Sequence, residues 1–194
     1  MRVHITELDL YRSFREDEDM PVSVFLWQLR GGEATTAMER GIAFHKAMEH
    51  ASIGETSTLS ADGHVFAFTC DAEIESWPRR EERREKDYGG IVVTGACDRI
   101  MGRAIADDKT TANFDAENYL SRYQWRYYLD IFDADVFRWH IWECKDLEDR
   151  KWEVYAHHLL TQYRYAEMEN DCRALALEFK DFAESVGWKG SVRR

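Results

Sequence analysis

The sequence predicts a mixed α/β or α+β domain, with a central mixed β-sheet flanked by helices. Three observations lead there. Short runs rich in β-branched and aromatic residues recur, such as IVVTGACDRI and DVFRWHIWEC. Stretches with apolar residues three and four apart separate them. The chain of 194 residues is 44% apolar and 13% aromatic, enough for one domain with a sizeable core and too apolar for intrinsic disorder.

The elements follow in order. Residues 20–30, MPVSVFLWQLR, read as a short helix with Pro21 in its first turn and Gly31 and Gly32 ending it. A second helix is expected over about 36–52, its apolar line Ala37, Gly41, Phe44 and Met48. His45 and Glu49 lie beside that line, one turn apart on one face. Residues 64–74 alternate like a strand, and WPRREERREKDYGG reads as a charged loop. Two strands, IVVTGACDRI and RAIADDKT, then meet at a tight turn around Met101 and Gly102. A helix over about 115–133, capped by Asn113 or Asp115, leads to strands at about 135–144 and 152–160. An amphipathic helix over about 163–186 closes the chain, with Gly187 ending it.

The opening MRVHITELDLYRSFREDEDM lacks the apolar stretch and cleavage site of a signal peptide. No run approaches the ~18 consecutive apolar residues of a membrane span. An intracellular, cytoplasmic location is therefore expected. Cys70, Cys97, Cys144 and Cys172 form no C-x-x-C pair and read as small, mostly buried thiols. The formal charge of −11 counts against a nucleic-acid binder that uses its whole surface, but leaves room for a local basic channel.

The chemistry concentrates in one segment. On a strand, side chains two apart share a face, so Asp107 and Lys109 project together while Asp108 points away. Asp98, on the preceding strand, approaches Asp107 if the hairpin closes. A carboxylate suits a hard divalent cation, and an adjacent ammonium can position water or offset charge developing on a phosphate. An isolated D-x-K is usually a surface ion pair, so the case rests on co-occurrence.

Read in order, the chain carries G-x-x-x-H-x-x-x-E (Gly41, His45, Glu49), then G-x-x-D (Gly95, Asp98), then I-x-D-x-K-T (Ile105, Asp107, Lys109, Thr110), then Q-x-x-x-Y (Gln124, Tyr128). This ordered set resembles the RecB-like, phage-exonuclease branch of the PD-(D/E)XK nuclease superfamily, which includes lambda exonuclease and the CRISPR-associated RecB-like exonucleases. The resemblance covers about 36–160. It implies a single nuclease domain with a restriction-endonuclease-like core, and a DNA nuclease that uses one or two Mg²⁺ or Mn²⁺ ions. By the same resemblance His45, Asp98 and Asp107 are metal ligands; the Asp108 backbone carbonyl, lying between the two functional side chains, is a natural extra ligand. Lys109 is the catalytic lysine, and Gln124 and Tyr128 support the site and the nucleic-acid backbone. Glu49 matches less securely and reads equally as a solvated carboxylate. Some relatives hold an iron–sulfur cluster with four cysteines; the dispersed cysteines here predict none.

The implied substrate is linear DNA, single- or double-stranded, in recombination, repair or phage replication. A homo-oligomer or a recombination partner protein would help an acidic subunit assemble a basic channel. A structure-selective endonuclease is the enzyme alternative, and an acidic regulatory or DNA-mimicking protein the other. Arg79, Arg80, Arg83, Arg84 and Lys86 form the one dense basic cluster, candidates for DNA phosphates although interleaved with acids. Lys189, Arg193 and Arg194 form a short basic tail. The aromatic run Tyr119, Tyr123, Trp125, Tyr127 and Tyr128 reads as core before it reads as a base-stacking platform. His157 and His158, being adjacent on a strand, point to opposite faces and are not a joint metal site.

Overall fold

The computed structural model describes residues 1–51, 57–72, 74–75 and 79–190, with 79–81 described by backbone alone. The elements run β1 (Arg2–His4), α1 (Ile5–Glu16), α2 (Val22–Leu29), α3 (Thr36–His50), β2 (Thr58–Ala61), β3 (His64–Phe68), β4 (Arg79–Asp87), β5 (Val92–Met101), β6 (Ala104–Thr111), α4 (Ala116–Leu120), α5 (Gln124–Ile131), β7 (Val136–Asp146), β8 (Lys151–Tyr163) and α6 (Met168–Ser185). The strands form one mixed eight-stranded sheet in the order β1-β5-β6-β7-β8-β3-β2, with β4 also on β5. The expected class, a mixed sheet flanked by helices, is what the chain adopts. Among the described residues no helix is long and apolar enough to cross a membrane.

Strand periodicity divides the apolar residues between two cores. On β7, Phe137, Trp139 and Ile141 face α1, α5 and α6, while Trp142 and Cys144 face α3. The first core adds Ile5, Leu8, Tyr127, Leu129 and Phe179; the second adds Phe44, Met48, Phe66, Trp152 and Val154. Trp139, Trp142 and Trp152 are all buried, as are Tyr119, Trp125, Tyr127 and Tyr128, so the aromatic run is core. Cys97, Cys144 and Cys172 are buried and Cys70 half-buried.

The branch at β5 positions everything that follows. β4 runs antiparallel to β5 from Arg79↔Ile100 to Asp87↔Val92 and so occupies one edge of it. The other edge is shared. β1 pairs there in parallel at Val92–Thr94, and β6 pairs antiparallel only from Arg99↔Ala106 to Met101↔Ala104. Between them, residues 95–98 face no strand on that edge among the described residues. Gly95 sits in this gap. A Cβ there would lie 2.3 Å from Ile5 Cδ1 and 3.1 Å from Tyr128 Cε1, both on buried side chains. The glycine is thus set by close packing of α1 and α5 on β5. Gly95→Ala should destabilise the fold by about 1–3 kcal/mol through overpacking, lowering the melting midpoint by about 2–12 °C. A wild-type midpoint in thermal denaturation would refute that account.

Several expectations are corrected. The charged segment expected to be a loop is strand β4. Its alternation is of charges, not of apolar residues, which hides a strand from periodicity. Arg84 and Lys86 turn inward: Arg84 donates to the Phe132 carbonyl at 3.2 Å and Lys86 to the buried Asp130 at 3.0 Å, while Arg83 stays exposed. Two of the candidate phosphate cations are therefore committed within the molecule; the side chains of Arg79 and Arg80 lie outside the described residues, as do Arg193 and Arg194. The helix expected over 115–133 is two helices parted at 121–123. Asp115 caps the first, accepting the Glu117 N–H at 3.1 Å. Strand 64–74 ends at Phe68, and β8 runs to Tyr163, so the last helix begins only at Met168. The buried line of α3 is Arg40, Ala43, Phe44, Ala47 and Met48; Ala37 is exposed. β1, α1 and β2 were not anticipated.

Candidate active site at the parting of two strands

The site forms where β6 leaves β5. Beyond Arg99↔Ala106 the ladder stops, and the Asp98 side chain takes over the missing contact: its Oδ2 accepts the Asp108 backbone N–H at 2.9 Å. His45, on the second turn from the C-terminal end of α3, places Nδ1 3.0 Å from the same carboxylate oxygen. Lys109 Nζ pairs with Asp107 Oδ2. Asp107 and Lys109 share a face, as strand parity predicts, aligned with Trp139 and Ile141 of β7. Asp108 turns to the opposite face, where Oδ1 meets Arg99 Nη2 at 2.5 Å and Trp142 Nε1 at 2.9 Å.

The electrostatics follow from this pairing. Burial raises the Asp107 carboxyl to about 6, with Lys109 pulling it down and Asp98 pushing it up. For Asp98 burial also acts upward, but the His45 pair, Lys109 and the Asp108 amide outweigh it and hold the carboxyl below its ordinary value. Burial pushes the His45 imidazole and the Lys109 ammonium downward; their carboxylates reverse this and leave both above their usual values. The opposite charges thus favour the charged forms of Asp98, His45 and Lys109 in a partly dry cleft, while burial and Asp98 disfavour that of Asp107. Lys109 keeps 24% of its side-chain surface exposed and His45 29%, against 3% for Asp107. The cleft opens through the first two.

Gln124 and Tyr128, one turn apart on α5, are both buried. The Tyr128 hydroxyl donates to the Ala96 carbonyl at 2.6 Å and is hydrogen-bonded by Gln124. They hold the β5 backbone two residues before Asp98. Glu49 is exposed and borders a small cavity of about 20 Å³ with His45, Asp98, Arg99 and Asp108. His157 and His158 do face opposite ways. His157 stacks on Trp142 and meets His140 at 3.1 Å, and His158 meets Glu143 at 2.8 Å.

The donor set suits a hard divalent cation in kind: two carboxylates and an imidazole, with the Asp107 carboxylate buried and facing Lys109 as its partner. Among the described residues, no three His, Cys, Asp or Glu side chains stand at chelating spacing. The chain's own cations hold the carboxylates, His45 on Asp98 and Lys109 on Asp107. A divalent cation on these groups would need the His45 imidazole neutral and would part Lys109 from Asp107, so its binding would be coupled to loss of the imidazole proton.

Sequence reading missed two parts of this region. One is the Arg99–Asp108–Trp142 network, for which the doubled aspartate was the one available signal. The other is Arg122, in the break between α4 and α5, whose guanidinium lies 4.8 Å from the Tyr119 ring and 6.0 Å from Trp139.

No protein-family model and no curated protein matches the chain. Its fold does resemble solved structures. The crystal structure of SSO0001 aligns with a TM-score of 0.51 at 15% identity, covering 93% of this chain and 76% of that one. An alkaline exonuclease of Laribacter hongkongensis, LHK-Exo, aligns at 0.44 and 12% identity, over 96% of this chain and 91% of its own. Its complex with dAMP aligns at 0.43 and 12%, over 95% and 90%. At these identities the likeness to SSO0001 is one of fold alone.

Proposed function

We propose that this protein is a divalent-metal-dependent DNA nuclease, acting as an exonuclease on linear DNA in recombination, repair or replication. One observation carries the reading. His45, Asp98, Asp107 and Lys109 come from three elements and meet where β5 and β6 part, although 64 residues separate the first from the last. A surface ion pair needs no such convergence. The ordered resemblance to RecB-like nucleases gives the same four residues the same site.

Asp98, Asp107 and His45 would hold Mg²⁺ or Mn²⁺, with the Asp108 carbonyl as a further candidate ligand. A cation bound there would supply Lewis-acid polarisation of the phosphodiester. The residues themselves do the rest. Lys109, freed from Asp107 once that carboxylate is engaged, aligns a water by hydrogen bond and offsets charge gathering on the phosphate oxygens. Water oxygen attacks phosphorus in line and yields its proton to solvent, the opposite P–O ester bond breaks, and the departing alkoxide takes up a proton from solvent. Gln124 and Tyr128 keep β5, and with it Asp98, in place.

The test is direct. Purified protein should degrade end-labelled linear DNA with Mn²⁺ or Mg²⁺ and do nothing in EDTA, and should spare closed circular DNA. Cutting of closed circles would convert the reading to an endonuclease. Inertness with both metals and both single- and double-stranded substrates would end it, leaving the acidic regulatory or mimic protein.

A further inference from the structure

We infer that Arg122, with Arg12 across an adjoining cavity, forms a phosphate subsite that holds a DNA backbone phosphate neighbouring the one attacked. Its catalytic meaning rests on the nuclease reading; its anion-binding chemistry does not.

The break that presents Arg122 is built, not frayed. Asp9 of α1 accepts the backbone N–H groups of Tyr123 and Gln124 through Oδ1, at 2.7 and 3.3 Å, and so starts α5 afresh. Arg122 is left between the helices. Its Nε donates to the Asn118 carbonyl at 3.2 Å and Nη2 reaches Asn118 Oδ1 at 3.5 Å, both neutral acceptors. Among the described residues Arg122 makes no ion pair, in a chain of net charge −11 where Arg2, Arg15, Arg103, Arg164 and Arg173 all pair with carboxylates. A half-buried guanidinium with no direct ion pair, facing the Asp9 carboxylate across the cavity, can take a further anion.

Its neighbours sharpen the assignment. Lys109 Nζ lies 5.7 Å from the same Trp139 ring that Arg122 approaches. Two cations thus converge on one indole, and Arg122 works against the charge on Lys109. An anion bound beside both relieves that repulsion. The cavity next to Arg122, about 210 Å³, has room for a phosphate and several waters. Thr6, Asp9, Arg12, Ser13, Asn118 and Arg122 line it. The Arg12 side chain is only 10% exposed; Nη1 pairs with Glu16 and Nη2 meets Ser13 Oγ at 3.3 Å, but Nε has no partner. Asp9 is the one acid in the lining. Its Oδ1 is already committed to two amides; burial pushes its carboxyl upward, while Arg122, Arg12 and those amides draw it down. Two guanidiniums, two hydroxyls and an amide around one cavity suit the several oxygens of a phosphate group.

The experiment compares wild type, Arg122→Gln, Arg122→Lys and, as control, Arg103→Gln, an exposed arginine already paired with Asp133 and Asp135. Melting is followed with increasing inorganic phosphate, and DNA affinity by fluorescence anisotropy in EDTA over a range of salt. Wild type and Arg103→Gln should be stabilised by phosphate and Arg122→Gln should not. For Arg122→Gln, DNA affinity should fall about tenfold and the slope of log K against log salt by about one. Arg122→Lys, which keeps the charge, should recover part of both. Should wild type bind no DNA yet gain stability from phosphate only when Arg122 is present, the subsite stands and the nuclease reading falls. If Arg122→Gln matches wild type in both phosphate stabilisation and DNA binding, the subsite is overturned.

Discussion

Lys109→Ala should lower metal-supported DNA cleavage by about 10²–10⁴-fold, the range expected when a positioned proton donor or a charge-stabilising group is removed. It should do so without unfolding the protein. The Lys109 ammonium reaches the cleft opening, and its one ring contact among the described residues is Trp139 at 5.7 Å. What it leaves behind is Asp107, 3% exposed. Burial already raises that carboxyl to about 6 and Lys109 is the chief influence holding it down, so its loss raises it further. The sign for stability follows. The folded-state value exceeds the unfolded value near 3.8, so the folded state binds the extra proton, and stability is lost as pH rises from the unfolded value through the folded one, levelling off above it; in the variant that upper limit moves higher. The variant should therefore melt close to wild type near pH 5 and fall below it at pH 8. End-labelled DNA with Mn²⁺ reads the first effect, and thermal denaturation at the two pH values reads the second. Unimpaired cleavage would remove Lys109 from the mechanism, and equal melting at pH 8 would contradict the buried pairing with Asp107.

Much of this site was legible because it depends on local periodicity. Strand alternation alone placed Asp107 beside Lys109 and turned Asp108 away, and helix spacing set His45 beside the apolar line of α3. The parts that were not legible depend on distant residues. No local pattern around 121–123 announces that the helix stops there, because the cause is Asp9, more than a hundred positions earlier. β4 carries no apolar alternation; its inward side chains, Arg84 and Lys86, are read only once Phe132 and Asp130 are in place. β1 is three residues long, too short for any period to show. The helix after it does carry a signal: Ile5, Leu8 and Tyr11 recur at helical spacing, and Glu7 accepts the His4 N–H at 2.7 Å to close the first turn. That segment matters to the site, since Ile5 is what Gly95 makes room for and Asp9 is what starts α5.

Arg99→Met should cost about 3–5 kcal/mol, the usual penalty for removing one partner of a buried ion pair, and lower the melting midpoint by about 6–20 °C. Arg99 and Asp108 are 5% and 3% exposed in their side chains. Without Arg99, Asp108 keeps a hydrogen bond from Trp142 Nε1 but has lost the guanidinium that compensates its charge. Asp108→Asn alone should also destabilise, since it removes the carboxylate that Arg99 pairs with. The double variant should recover a large share of the loss: asparagine still accepts from Trp142, and no buried charge remains unpaired. That recovery is a coupling energy, which two independent surface effects would not produce. The consequence for the site is geometric. Arg99 follows Asp98 and Asp108 follows Asp107, so this pair ties β5 to β6 on one face where the carboxylates of the other chemistry diverge. Double-variant protein that melts like wild type should therefore still cleave DNA more slowly, because an uncharged contact fixes the parting of the strands less firmly. A single variant with a wild-type midpoint would mean that the ion pair does not hold the strands together, and the account of how the cleft is built would fail with it.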